Sequence, residues 1–129
     1  MRTDWRDAAV YGDAAQIERL LAENIAIDSR DRYGQTALML AAMYGRSAVV
    51  RLLIDHDADL DATAKYSLSA LMLAIVNRHV DIAMILIDAG ADTQLRGSGA
   101  PGFSGKTALD LALTHGLTAL AARLAEAGD

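Results

Sequence analysis

The sequence predicts an all-α fold, a solenoid of four stacked helix-turn-helix units, from three observations. A motif recurs in one phase along the whole chain. Each copy carries two stretches with apolar residues at i, i+3 and i+4, the spacing of one helix face. The apolar content, 53% of 129 residues, is mostly alanine, leucine and isoleucine, with only 5% aromatic residues. Small and straight aliphatic side chains favour closely packed helices over strands.

The repeat sets the organisation. Gly34-Gln35-Thr36-Ala37-Leu38-Met39-Leu40-Ala41 returns one repeat later as Ser67-Leu68-Ser69-Ala70-Leu71-Met72-Leu73-Ala74. After a somewhat longer step it returns again as Gly105-Lys106-Thr107-Ala108-Leu109-Asp110-Leu111-Ala112. A degenerate first copy, Thr3-Asp4-Trp5-Arg6-Asp7-Ala8-Ala9, precedes the second by the regular step. The downstream pairs Leu20-Leu21, Leu53-Ile54, Leu86-Ile87 and Leu124-Ala125 keep the same spacing. A single unit cannot bury its apolar faces alone, and four copies exceed the ~3 that stability needs. The units of this one domain are expected at about residues 1–30, 31–63, 64–96 and 97–129.

Within the second copy, Leu38, Ala41 and Ala42 share one helix face, and Val49, Val50 and Leu53 share another. Thr36 suits an N-cap, because its hydroxyl can accept from a free N–H of the first turn. Gly45 suits the end of the first helix, where the chain turns left-handed. Polar turns follow the second helices, as at Asp57-Ala58-Asp59-Leu60-Asp61-Ala62 and Ala89-Gly90-Ala91-Asp92. Arg6 and Asp7 stand where the second copy has Met39 and Leu40, as a polar N-terminal cap requires. The alanine-rich end, Arg123 to Asp129, is expected to cap the other side.

A turn plus two helices in a unit of about 33 residues resembles the ankyrin repeat. That family carries a Gly-x-Thr-Pro-Leu-His run, then Ala-Ala, Gly-His, Leu-Leu and Gly-Ala-Asp. The resemblance runs from about Thr3 to Asp129, with several motif pieces in register. The family's Pro is Ala37, Ala70 and Ala108 here, and its His is Met39, Met72 and Asp110. In the family that His ties adjacent loops, so its loss predicts looser coupling between turns. The resemblance also implies a protein-binding module whose loop tips and first-helix ends project toward a concave groove.

Composition removes several other functions. A net charge of −5 and a pI of about 5.0 argue against a general binder of phosphate backbones. No cysteine is present for a disulfide framework or a thiolate metal site. The charged stretch from Met1 to Asp7 lacks the apolar segment of a secretory signal, and no apolar run approaches a bilayer span. A cytoplasmic monomer, with no membrane or nucleic-acid partner, is the expectation.

Three patterns could have carried chemistry. The run from Ala100 to Thr107 fits a relaxed P-loop, but a P-loop follows a buried strand, and residues 92–97 are polar. Gly105, Lys106 and Thr107 are also the repeat's own Gly-x-Thr. The lengthening from Gly97 to Pro101 reads as an extended, flexible finger. Asp55, His56, Asp57, Asp59 and Asp61 suggest a cation loop, yet they lack a mid-loop Gly and a spaced acidic terminator. His56, His79 and His115 fall in different units, too far apart to converge on a metal. No serine or histidine stands in a catalytic constellation, so no catalytic, metal or cofactor site is expected.

The candidate surface is therefore the groove. Tyr11 and Tyr44 are one repeat apart, as are Tyr33 and Tyr66. On the loop tips lie Arg32, Tyr33, Gln35, Lys65, Tyr66, Leu68, Phe103 and Lys106. At the helix ends lie Tyr11, Met43, Tyr44, Asn77 and His115, with Val10, Val76 and Thr114 at the same positions. This set holds basic residues and no carboxylate, whereas Glu18, Glu23, Asp55, Asp57, Asp81 and Asp88 map to the second helices and their ends. The function expected is partner binding through this face. A nucleotide-dependent switch on the finger before Lys106, or a purely structural accessory role, is the alternative.

Overall fold

In the computed structural model, which describes residues 1–128, the chain forms eight α-helices in four antiparallel pairs. The pairs are α1 (Thr3–Tyr11) with α2 (Ala14–Ala22), α3 (Ala37–Tyr44) with α4 (Ser47–Asp55), α5 (Ala70–Val76) with α6 (Val80–Asp88), and α7 (Ala108–Thr114) with α8 (Thr118–Ala127). First helices stack on first helices and second on second, giving two layers. The fold is all-α: among the described residues, extended pairing is limited to isolated bridges at Thr63–Ser69 and Gly97–Ser104.

The core lies between the layers and between successive units. Leu38, Leu71 and Ile75 on the first helices, and Leu53, Ile82 and Leu86 on the second, are all essentially inaccessible. Burying side chains of this size contributes about 1.5–3 kcal/mol each before conformational entropy is set against it. Local chemistry starts the first helices where the sequence predicts. The hydroxyls of Thr36 and Ser69 accept from the amides of Met39 and Met72, each at 3.3 Å. At Gly45, φ of 76° lets the chain leave α3 and enter α4.

The expectation of looser turns is corrected. Arg30 Nη1 donates to the carbonyls of Gly34, in the loop before α3, and Thr63, in the loop before α5, at 2.6 and 2.9 Å. Arg96 makes the bond to its own finger, donating to Gly105 O at 2.7 Å. On the other side, Asp28 Oδ1 accepts from the Asp59 amide at 2.9 Å, and Asp61 Oδ1 from the Asp92 amide at 2.7 Å. The side chains following the first helices add a third line: Arg46 Nε donates to Val10 O at 2.8 Å, and His79 Nε2 lies 3.1 Å from Met43 O.

Candidate functional site: a hollow between fingers and helix ends

Seven of the thirteen side chains proposed from the sequence line one hollow: Gln35, Met43, Lys65, Tyr66, Leu68, Asn77 and Phe103. It has a volume of about 300 Å³, and Ala64, Leu73 and Val76 complete its walls. The stacking of three units builds it. Gln35 comes from the finger before α3 and Met43 from near its end, while Leu73 and Val76 come from α5 and Asn77 caps that helix. Asn77 Nδ2 donates to Leu73 O at 2.8 Å, which leaves the amide oxygen free to accept. Leu73 and Ala64 were not among the sequence candidates. Leu73 shares its register with Leu40, which is buried, so only the stacking shows that it borders the hollow.

The finger before α5 turns tightly over Lys65–Ser67, with Tyr66 and Ser67 at φ of 61° and 56°. That left-handed backbone is uncommon away from glycine, and here the neighbouring finger braces it. The Ser98 amide donates to Tyr66 O at 2.8 Å, and the Ser67 and Ser98 hydroxyls are 2.8 Å apart. The Tyr66 and Phe103 rings pack with centroids 5.5 Å apart at 37°. The lengthened segment is thus not an extended finger. It folds back through Phe103 N and Ser104 N to Ala100 O, and through Gly105 N to Gly97 O. Lys65 Nζ stands 5.0 Å from the Tyr66 ring centroid.

The other proposed side chains lie outside this hollow. Arg32 sits over the Tyr33 ring, 5.0 Å from its centroid. Both border a separate depression with Met1, Arg6 and Asp31. The side chain of Asp31 is almost fully buried; its Oδ1 accepts from the Tyr33 and Gln35 amides at 2.9 Å, and its Oδ2 is 3.6 Å from Arg6 Nε. Tyr11, 73% exposed, borders a depression between α1 and α2 with Asp4, Asp7 and Asp13, and with Arg19 of α2. Tyr44 is exposed, Lys106 half-buried, and His115 half-buried as the cap of α7. The absence of carboxylates noted from the sequence holds for the hollow and not for the flank around Tyr11.

The P-loop-like run has another occupant. The Thr107 amide and hydroxyl both donate to Asp110 Oδ2, at 3.0 and 3.1 Å, in a capping box. The backbone N–H of Thr107 holds the Asp110 carboxyl below the ordinary value of 3.8, with help from the Thr107 hydroxyl against a raising effect of burial. A carboxylate at this helix start repels a phosphate that would need the same donors. The acidic turns are likewise engaged: beyond the inter-unit bonds, Asp59 Oδ1 accepts from the Asp61 amide at 3.0 Å. No cluster of metal-ligating side chains forms among the described residues. His56 Nδ1 lies 2.9 Å from Leu52 O, and His79 serves the inter-unit contact already described.

Among the second helices, a depression of about 520 Å³ is bordered by Asp55, Asp81, Asp88 and Arg51 with Ile54, Met84 and Ile85. It carries the carboxylates that the hollow on the other layer lacks. None of the described helices is long and apolar enough to cross a membrane.

Comparison with known proteins agrees with this architecture. The chain is similar to one in the solved complex of the predatory endopeptidase Bd0816 from Bdellovibrio bacteriovorus with the immunity protein Bd3460. The TM-score is 0.84 at 29% identity, over 95% of this chain and 62% of that one, so this chain spans less than two thirds of that solved chain. No curated protein sequence matches significantly. The family described as "Ankyrin repeats (3 copies)" matches residues 6–97. With that match over most of its length, and with its stacked helix pairs and in-phase Ala37-Leu38, Ala70-Leu71 and Ala108-Leu109 steps, the chain belongs to the ankyrin repeat family.

Proposed function

We propose that the chain is a non-catalytic protein-interaction module that holds a partner polypeptide against the fingers and first-helix ends. The observation that carries this reading is the convergence of Met43, Tyr66, Leu68, Asn77 and Phe103, from three successive units, on one carboxylate-free hollow. Aromatic and flexible apolar side chains on a rigid scaffold are the usual anchors of protein interfaces. The similar solved chain comes from a complex between an endopeptidase and an immunity protein, which supports a role in protein–protein contact. The carboxylate seated at the start of α7 is a reason to prefer a protein over a nucleotide at the Lys106 finger.

Affinity capture from the source organism tests the reading. Bait carrying Met43→Arg is expected to lose a partner that wild-type bait retains, whereas bait carrying Asp55→Ala and Asp88→Ala keeps it. Loss with the second bait and retention with the first would place binding on the second helices instead.

A further inference from the structure

We propose that the hollow is a subsite for one aromatic side chain of the partner, carried on a segment with a carboxylate next to it. This rests on the groove reading above and names the chemistry that the groove selects. Three observations lead to it.

The first is size. About 300 Å³ is at the lower end of cavities that hold small organic ligands, which suits one large side chain rather than a helix.

The second is the wall chemistry. Met43, Leu68, Leu73, Val76 and Phe103 form an apolar lining, and the tilted Tyr66–Phe103 pair presents ring surface to it. An aromatic ring gains offset or edge contacts there in addition to burial. The thioether of Met43 can adjust to a ring that approaches it.

The third is charge. Lys65 is the one charged residue in the lining. Its side chain is exposed and forms no ion pair among the described residues; the pairs present are Arg2–Asp4, Arg6–Asp31 and Arg123–Asp88. Its ammonium stands 5.0 Å from the centroid of the Tyr66 ring, beside the hollow. Gln35 and the free amide oxygen of Asn77 supply only neutral polar groups. A segment bearing a carboxylate beside its aromatic residue gains an ion pair with Lys65 there, and one bearing an ammonium meets repulsion.

Methyl NMR titration at low salt tests this with short blocked dipeptides. The probes are acetyl-tryptophanyl-glutamate amide, its lysine counterpart, and acetyl-alanyl-glutamate amide. The tryptophan–glutamate probe is expected to shift the methyl signals of Met43, Leu68, Leu73 and Val76 saturably in the millimolar range. The lysine counterpart should bind about threefold or more weakly, the scale of an exposed charge interaction, and the alanine probe should leave those methyls unmoved. Lys65→Gln, an exposed change that leaves the walls intact, should abolish the difference between the two tryptophan probes while both still bind. The proposal is overturned by a flat titration, by equal affinity for the two tryptophan probes in the wild type, or by a preference that survives Lys65→Gln. A flat titration together with partner capture that still fails with the Met43→Arg bait would remove the subsite and leave the groove reading standing.

Discussion

The imidazole of His79 occupies the space that a side chain on Gly45 would need. A Cβ on Gly45 would lie 2.8 Å from His79 Cε1, and Gly45 itself sits at φ of 76°. The same ring reaches Met43 O of the preceding unit, so the glycine makes room for the contact that joins two units. Gly45→Ala therefore combines a left-handed backbone cost of about 1–2 kcal/mol with displacement of the ring. The smaller freedom of alanine in the unfolded chain offsets part of this, and urea unfolding should show a net loss of about 1 kcal/mol or more.

Arg78 stands at the corresponding place in the third unit, with φ of 63° and a side chain. Arg78→Gly removes that backbone strain but adds freedom to the unfolded chain, so the two effects partly cancel. A net gain of about 0.5 kcal/mol is expected by the same unfolding measurement, in the opposite direction from Gly45→Ala.

Arg30 replaces the loop tie that the family's histidine provides. Arg30→Ala removes bonds to two carbonyls, and a loss of about 1 kcal/mol is expected, because bonds to charged groups lie at the upper end of the range but this one is exposed. Hydrogen exchange should quicken first in the finger around residues 63–69, while the amides of α4 remain protected.

The capping box at α7 makes stability depend on acid. The folded value of Asp110 lies below its unfolded one. Its contribution is therefore complete above the unfolded value and fades as pH falls through 3.8 toward the lower folded one. Asp110→Asn should be less stable than wild type by a constant margin above about pH 5, with the margin closing on acidification. Thermal unfolding of both proteins across this range checks the sign.

Leu113 and Ile75 share a register, yet Leu113 is 60% exposed and Ile75 is fully buried. Ile75→Ala should cost about 2–5 kcal/mol, and Leu113→Ala within about 0.5 kcal/mol. Equal losses in denaturant unfolding would mean that Leu113 has a partner the stacked units do not supply.

Much of this architecture was readable in the chain, because repeat register fixes which positions are equivalent. Thr36 as a cap and Gly45 as a terminator follow from local chemistry, and both stand as the residues predict. The resemblance to the ankyrin repeat, rather than register, implied one face for Met43, Tyr66 and Phe103. It could not show that Tyr66 and Phe103 would pack together or that the lengthened loop would fold onto its neighbour, since those contacts depend on how units stack. The acids beside Tyr11 escaped for a similar reason: Asp4 and Asp7 occupy positions that inner units fill with buried apolar residues. The value of Arg30 and Arg96 was visible only as two arginines in the same phase of the repeat, ahead of equivalent glycines.

The binding face is tested most directly by the dissociation constant of a captured partner for two variants measured side by side. Met43→Arg places a charge in the hollow, and truncating or blocking such an anchor typically costs ~2 kcal/mol or more, so affinity should fall about thirtyfold. Asp88→Ala, among the second helices, should leave affinity nearly unchanged. A partner whose affinity drops with Asp88→Ala and ignores Met43→Arg would contradict the assignment of this face.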